Sequence, residues 1–336
     1  MASTGPAMII TQTPLRIGLL GGGTDLPSYY RGHGGRVLNC ALDKYVYVIV
    51  KQRFDDDIYV NYSKKEIVSR VDDLEHELVR EAMLMTGVAS GVEITTLADI
   101  PSSGSGLGSS SAVTVGLLHA LFAYQGRQVS AKELADSACE IEIERCGKPI
   151  GKQDQYIAAF GGIRDLRFGP GDDVVAEEVG LSPAERRRLQ EQIMLFYTGI
   201  TRSATTILAE QNANVEAKEP QLDLLRDLAG FAVERLRNGD IDAIGPAIRE
   251  SWEAKRKLAS GVSTDQIDQA VARALDAGAT GVKLTGAGGG GFLLVICSVE
   301  RQRNVRESLT GMREFPIRLD RLGSRVMFNA QHDIWA

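Results

Sequence analysis

The chain has 336 residues, 43% of them hydrophobic and 24% charged, which is the composition of an ordinary globular protein. Its formal net charge of −6 gives no basic footprint for nucleic acid, and its apolar runs are too short to span a bilayer. Four cysteines without a C-x-x-C spacing predict neither a disulfide framework nor a zinc site, so we expect a cytoplasmic protein.

The first hundred residues are dominated by strand patterns. Residues 8–20 alternate and then become apolar, which predicts a pair of strands leading to the sequence Gly-Gly-Gly-Thr-Asp at 21–25. Turn chemistry is enough to explain Asp25, and from the residues alone we prefer it to a binding role. Further strands are predicted from β-branched and aromatic residues, with one helix among them. The strands lie at 37–42, 45–50, 58–62 and 91–96, and the helix at 74–85.

The stretch 101–121 joins a glycine-rich loop to an apolar helix. Gly104, Gly106 and Gly108 alternate, three serines follow, and apolar residues then recur at helical spacing. A helix N-terminus leaves backbone N–H groups free at the positive end of its dipole, and no acidic residue complements it here. The pattern predicts a phosphate-binding loop. We therefore expect a side chain at Gly106 to weaken phosphate binding without affecting the fold.

Other kinds of glycine loop do not match this stretch. The nucleoside-triphosphatase loop needs a lysine, and none lies between residues 65 and 132. A dinucleotide fingerprint would need glycine in place of Ser109, and a nucleophile elbow would need glycine in place of Ser103. A flexible Gly/Ser linker is the remaining alternative, and the abrupt junction with an apolar helix disfavours it.

A capping box at Ser130 and Glu133 predicts a helix to about residue 146, with Gly147 as its stop. Three glutamates at a spacing of two point in different directions, so at most one or two can reach a site: Glu140, Glu142 and Glu144. A glycine-rich turn at 147–153 then carries Asp154 into the next element.

The second half of the chain is rich in helices. A charged, proline-flanked stretch at 184–188 predicts the domain boundary, followed by a strand at 193–197. Helices are predicted at 203–213, 220–237, 241–258 and 264–277. A second glycine loop within 282–291 interrupts an apolar strand pattern. This predicts a close backbone approach to a ligand rather than a linker.

Three glycine motifs in this order, at 14–25, 101–112 and 283–291, resemble those of the GHMP kinases over most of the chain. The stretches 21–27, 39–45 and 151–156 are most similar to the branch of that family that acts on D-glycero-D-manno-heptose 7-phosphate. The resemblance implies an α+β fold of two domains with ATP between them. Residues 8–186 would form an ATP-binding domain like domain 2 of ribosomal protein S5, and 187–336 a ferredoxin-like domain.

The same resemblance implies that the γ-phosphate of ATP is transferred to the anomeric C1 hydroxyl of the heptose 7-phosphate. The resulting 1,7-bisphosphate would supply nucleotide-activated heptose for surface polysaccharide. Two alternatives stay open: an anomeric kinase for another sugar phosphate or free sugar, such as an octose or hexose, and a non-catalytic sugar–ATP sensor. We expect small-molecule partners, with no nucleic acid and no membrane, and a homodimer also stays open.

Site residues follow from the resemblance one motif at a time. The ATP phosphates would contact Gly104, Ser105, Gly106, Leu107, Gly108, Ser109, Ser110 and Ser111. Ser110 and Glu142 would hold Mg²⁺, Asp154 would take up or orient the acceptor proton, and Arg16 would stabilise the transferring phosphoryl group. The acceptor would contact Gly22, Gly23, Thr24, Asp25, Asp154, Gly288 and Arg202.

One departure from the family concerns the acceptor. Galactose-type kinases carry Glu-His where this chain has Gly22 and Gly23, so the pocket should admit a longer acceptor that already carries a phosphate. That phosphate would need cations. The candidates, among which the sequence does not choose, are Arg31, Arg36, Lys44, Lys152 and Arg202.

Overall fold

A computed structural model describes residues 8–100, 104–201 and 204–330. These residues form one eight-stranded and one four-stranded sheet, with helices packed on both. The strands are β1 (Met8–Leu20), β2 (Gly35–Gln52), β3 (Ile58–Asn61), β4 (Lys65–Val68), β5 (Val92–Ala98), β6 (Ile163–Phe168), β7 (Val174–Glu178), β8 (Ile193–Tyr197), β9 (Gly281–Leu284), β10 (Phe292–Ile296), β11 (Arg313–Glu314) and β12 (Arg325–Asn329).

The α-helices are α1 (Pro27–His33), α2 (Glu77–Thr86), α3 (Ser109–Tyr124), α4 (Ala131–Cys139), α5 (Gln153–Phe160), α6 (Pro183–Gln192), α7 (Ala204–Ala213), α8 (Glu219–Arg237), α9 (Ile244–Lys255), α10 (Asp265–Asp276) and α11 (Gln302–Ser308). None of these helices is long and apolar enough to cross a membrane. The four helices predicted in the second half are confirmed as α7 to α10.

The first sheet is built on two long antiparallel strands. The sequence predicted two short strands in place of each, but β1 and β2 are continuous. Irregularities between Pro14 and Arg16 and between Gly18 and Leu20 shift the register of the pair without ending it. Bulges of this kind redirect side chains, and here one lies directly beside Arg16. Helix α3 covers the apolar face of this sheet, and most of its residues, such as Val115, are buried.

The second sheet has the strand order β11-β8-β10-β9. Every neighbouring pair in it is antiparallel. With helices between β8 and β9 and between β10 and β11, this is the topology of a ferredoxin-like domain, as predicted. The stretch 184–188 is part of α6, which is capped by Ser182, and is not an open linker. The last strand, β12, returns to pair with β1, so residues beyond 187 also contribute to the first sheet. The domain limits themselves stay a prediction.

Candidate active site

The glycine loop before α3 has the geometry of an anion-binding loop. Gly104, Gly106 and Gly108 have φ angles of 73°, 71° and 75°, values that favour glycine. Gly108 is the N-cap of α3, no side chain caps the helix, and its first turn has no acidic residue. Ser109 to Ser111 therefore begin a helix whose N-terminal N–H groups face a cleft, and the loop can bind phosphate. The same cleft is lined by Arg16, Asp25, Glu142, Asp154 and Lys255, among others.

The two glycine loops pack on each other, backbone against backbone. A Cβ on Gly106 would lie 2.7 Å from the carbonyl oxygen of Thr285, and one on Gly291 would lie 2.4 Å from that of Ser105. The second loop does make the close backbone contacts that the sequence predicted, but two of its glycines, Gly286 and Gly291, make them with the first loop. A side chain at Gly106 would consequently disturb the fold, which corrects the expectation that only phosphate binding would suffer.

Two other loop residues that were predicted to contact a ligand are explained by packing. Gly286 and Ala287 line the cleft, whereas Gly288 packs where a Cβ would lie 2.7 Å from the carbonyl oxygen of Val262. The side chain of Leu107 is buried in the core, and its carbonyl accepts a hydrogen bond from the backbone N–H of Arg16. Packing thus accounts for Gly288 and Leu107, and ligand contacts by either stay predictions.

Arg16 and Asp154 meet beside the N-cap of α3, as the resemblance implied. The Nε of Arg16 donates to Oδ1 of Asp154 at 2.6 Å, and Nη2 donates to Oδ2 at 2.5 Å. Nη1 of Arg16 donates to the carbonyl of Gly106 at 2.6 Å. Glycine at position 108 leaves room for this pair, because a Cβ there would lie only 3.3 Å from Oδ2 of Asp154. Each carboxylate oxygen retains a lone pair, so Asp154 can still accept a hydrogen bond from a substrate hydroxyl.

Asp25 ties the first motif to the turn that carries Asp154. Its carboxylate accepts hydrogen bonds from the backbone N–H of Gly23 at 3.1 Å and from the Gln153 side chain at 2.9 Å and backbone at 3.2 Å. Asp25 also lines the cleft, and burial together with the charge of Asp154 raises its pKa. Thr24 is explained by the turn, because its hydroxyl donates to the carbonyls of Gly21 and Arg36 and the residue is buried. Thr24 does not line the cleft, and substrate binding by it stays a prediction.

The predicted metal pair, Ser110 and Glu142, is brought together across 32 residues of sequence. The Ser110 hydroxyl donates to Oε1 of Glu142 at 2.8 Å, and the amide of Gln155 donates to Oε2 at 2.7 Å. Burial raises the pKa of Glu142, while the nearby ammonium of Lys148 acts in the opposite direction. The sequence predicted an α-helix to residue 146, but residues 140–145 form a π-helix, a distortion common at functional sites. This turn buries Glu142 while Glu144 is exposed.

The donor set at Glu142 fits a hard cation bound mainly through phosphate oxygens. One carboxylate and one hydroxyl face the phosphate loop, and the side-chain oxygen of Gln155 is buried without a partner among the described residues. Mg²⁺ is commonly held by one or two carboxylates together with substrate phosphates. Within residues 8–100, 104–201 and 204–330, no three His, Cys, Asp or Glu side chains could enclose a metal by themselves.

Three buried polar residues of the cleft were not predicted from the sequence. They are Gln211 on α7, Lys255 at the end of α9 and Lys283 on β9. Both polar atoms of the Gln211 side chain are buried and lack a partner in the described part of the chain. Burial lowers the pKa of Lys255 to about 8. Burial, together with the nearby charge of Lys255, also lowers the pKa of Lys283 well below its ordinary value. The sequence did contain a signal for two of them. Lys255 and Gln211 follow Trp252 and Leu208 by three residues, which places these polar side chains on the apolar stripes of their helices.

The cations proposed for a distal phosphate are paired with carboxylates outside the cleft. Arg31 and Lys152 both contact Asp172, and none of the candidates in the described residues lines the cleft. The other pairs are Arg36 with Asp165 and Lys44 with Asp43. Arg202 lies outside the described residues.

The chain is similar to kinases of known name. Residues 61–162 match the family of the GHMP kinases N terminal domain, and 232–312 match that of the GHMP kinases C terminal domain. It is 30% identical to the D-glycero-alpha-D-manno-heptose 7-phosphate kinase of Campylobacter jejuni over 90% of this chain and 93% of that protein. A galactokinase of Pyrococcus furiosus is 23% identical over 91% of this chain and 93% of that protein.

Solved structures share the fold. A crystal structure of a D-glycero-D-manno-heptose 1-phosphate kinase from Bacteroides thetaiotaomicron superimposes with a TM-score of 0.79 at 24% identity, covering 95% of this chain and 99% of that one. The crystal structure of a putative sugar kinase from Campylobacter jejuni superimposes with a TM-score of 0.74 at 26% identity. The match covers 96% of this chain and 98% of that one.

Proposed function

The chain belongs to the GHMP kinases and is an ATP-dependent kinase, and on that basis we propose that its acceptor is a sugar phosphate. The proposed reaction transfers the γ-phosphate of ATP to the C1 hydroxyl of D-glycero-D-manno-heptose 7-phosphate, giving the 1,7-bisphosphate. The observation that carries the chemistry is the Arg16–Asp154 pair, which lies between the phosphate loop and the open glycine turn at 21–25.

In this mechanism the acceptor hydroxyl donates to Asp154, which takes up the proton as the oxygen bonds to the γ-phosphorus and the bond to the β-phosphate oxygen breaks. Arg16 fixes the carboxylate through two hydrogen bonds and places a positive charge next to the reacting groups. Mg²⁺, held by Ser110 and Glu142, would neutralise charge on the ATP phosphates. Phosphoryl transfer depends mainly on positioning and charge, and these residues supply both.

The acceptor side of the cleft supports a hydroxyl-rich substrate. A Cβ on Gly22 would lie 3.3 Å from Nζ of Lys255 and 3.7 Å from Nε2 of Gln153, so a glutamate there would take up this space. The amide of Gln211, which has no partner among the residues that the structure describes, can donate to one hydroxyl and accept from another. The heptose assignment draws its support from the Campylobacter jejuni relative.

A free sugar is the second candidate, and one observation favours it. The candidate cations for a distal phosphate that the structure describes are engaged with carboxylates away from the cleft. A non-catalytic sensor is disfavoured because Arg16, Ser110, Glu142 and Asp154 are all in place.

The test is ADP release with heptose 7-phosphate, free heptose and galactose as acceptors. If distal binding energy holds C1 in line with the γ-phosphate, loss of the 7-phosphate should lower kcat as well as affinity. Equal or better kcat/KM for a free hexose would exclude the heptose 7-phosphate assignment and leave the kinase assignment intact. No ADP release with any sugar would favour the sensor.

A further inference from the structure

Lys255 occupies a position that links the acceptor and donor halves of the cleft. Its side chain is buried, and Nζ donates to the carbonyl of Gly286 at 2.9 Å. On the other side, a Cβ on Gly22 would lie 3.3 Å from the same atom. The ammonium group therefore lies between the glycine turn at 21–25 and the second glycine loop.

The donor phosphates are expected close to this point. A Cβ on Gly286 would lie 2.7 Å from the Cα of Gly106, which belongs to the phosphate loop. The carbonyl of Gly106 in turn accepts a hydrogen bond from Arg16, the partner of Asp154. Lys255 is thus separated from the phosphate loop by a single backbone contact, and it lines the same cleft as Arg16 and Asp154.

The charge of Lys255 is not neutralised by a direct partner in the described part of the chain. Its hydrogen bond is to a carbonyl, and within the described residues it makes no ion pair with a carboxylate. The charged groups that act on it are Asp25, Asp154 and Arg16, with Lys283 nearby. Burying an unpaired ammonium is unfavourable, which is reflected in its lowered pKa. An anionic ligand would relieve that cost.

We propose that Lys255 is a further catalytic residue, which contacts the γ-phosphoryl group of ATP and stabilises it during transfer. The inference rests on the kinase activity but not on the identity of the sugar. An ammonium has three N–H donors, so the bond to Gly286 leaves two for phosphate oxygens. Lys283 differs, because its Nζ donates to the carbonyls of both Gly18 and Leu19 and so ties β9 to β1.

The direct test compares nucleotide binding with and without a γ-phosphate. Calorimetry in the presence of Mg²⁺ would measure Kd for ADP and for the β,γ-imido analogue of ATP in the wild type, Lys255→Met, Lys255→Gln and Lys255→Arg. Lys257→Met is the control, because Lys257 is exposed two residues further along the chain. Thermal melting would verify that each variant is folded.

Lys255→Met and Lys255→Gln should each weaken binding of the imido analogue by about tenfold, with the Kd for ADP changed by less than about twofold. Lys255→Arg should retain most of the preference for the imido analogue over ADP. Glutamine retains an N–H donor on a side chain one bond shorter than that of lysine. A role confined to the Gly286 hydrogen bond therefore predicts, for Lys255→Gln, either wild-type binding or an equal loss of ADP and analogue binding, and either result would overturn the proposal. An equal loss of ADP and analogue binding in Lys255→Met would do the same.

Turnover provides a second readout. With an accepted sugar, kcat of Lys255→Met should fall by about 10²-fold, a typical consequence of removing one group that stabilises transition-state charge. If the wild type fails to use heptose 7-phosphate, the sugar assignment is wrong, but the ratio of analogue to ADP binding still reports on Lys255. The two failures are therefore distinguishable.

Discussion

Replacing Asp154 with asparagine tests the chemistry at the centre of the site. In the native pair two N–H groups of Arg16 donate to the two carboxylate oxygens at 2.6 and 2.5 Å, and the Arg16 side chain is only 7% exposed. Asparagine can accept one of these bonds but presents an NH₂ group to the other donor. The variant therefore lacks the proton acceptor and leaves a nearly buried guanidinium without a counter-charge.

The expected loss for Asp154→Asn is about 10²–10⁴-fold in kcat, which corresponds to roughly 3–5 kcal/mol of barrier. Loss of a charge-assisted hydrogen bond should also lower the free energy of unfolding by about 1.5–3 kcal/mol. The assay is ADP release at saturating ATP, with calorimetry to show that ATP affinity is little changed and chemical denaturation to measure stability.

Asp172→Asn is the matched control for this experiment. Asp172 also accepts two hydrogen bonds from one arginine, Arg31, but the pair is exposed and Asp172 does not line the cleft. Its substitution should change stability by no more than about 1 kcal/mol and leave kcat unchanged. Near-normal kcat in Asp154→Asn would refute the reasoning, because the proton would then be taken up elsewhere. A comparable loss of kcat in Asp172→Asn would show that the effect is not specific to the cleft.

Further predictions concern the metal, the loops, the acceptor and pH. Glu142→Gln should raise the Mg²⁺ concentration needed for half-maximal activity by about tenfold, and an unchanged Mg²⁺ titration would argue against this ligand. Gly106→Ala should lower both thermal stability and ATP affinity, since its Cβ would lie 2.7 Å from a carbonyl, whereas Gly126→Ala, with a similar φ and open space around it, should cost about 1 kcal/mol and leave ATP affinity unchanged. Gln211→Leu should raise the KM of the acceptor by about tenfold and leave the KM of ATP alone, and the reverse pattern would place Gln211 on the nucleotide. Burial lowers the pKa of Lys255 from its ordinary value of 10.5 to about 8, so between pH 8 and pH 10.5 the unfolded chain binds more protons than the folded one. The free energy of unfolding should therefore rise with pH over this range, and in denaturation experiments Lys255→Met should lack about 3 kcal/mol of that rise.

Local sequence patterns were sufficient for the parts of the site that lie on glycine motifs. The alternating glycines before α3 predicted an anion-binding helix terminus because backbone freedom and a free helix end are local properties. The pairing of Ser110 with Glu142 and of Arg16 with Asp154 came from family resemblance, since nothing local links residues separated by 32 and 138 positions.

What the sequence did not show depends on packing between distant elements. Lys255 and Gln211 belong to ordinary amphipathic helices, and only the approach of α7 and α9 to the glycine turn makes them part of a cleft. The second glycine loop was expected to face a ligand, yet its glycines pack closely on backbone: Gly291 on Ser105 of the first loop, Gly290 on Ile200 and Gly288 on Val262. The continuity of β1 across its bulges was also missed, because a break in alternation resembles a strand end.

The most direct test of the proposed reaction is to locate the new phosphate by ³¹P NMR after incubating the protein with ATP, Mg²⁺ and D-glycero-D-manno-heptose 7-phosphate. We predict a second sugar phosphorus signal coupled to the anomeric proton, with loss of the reducing end, and an equal amount of ADP. A product whose new phosphate lies on another hydroxyl, with the reducing end intact, would contradict the proposed reaction.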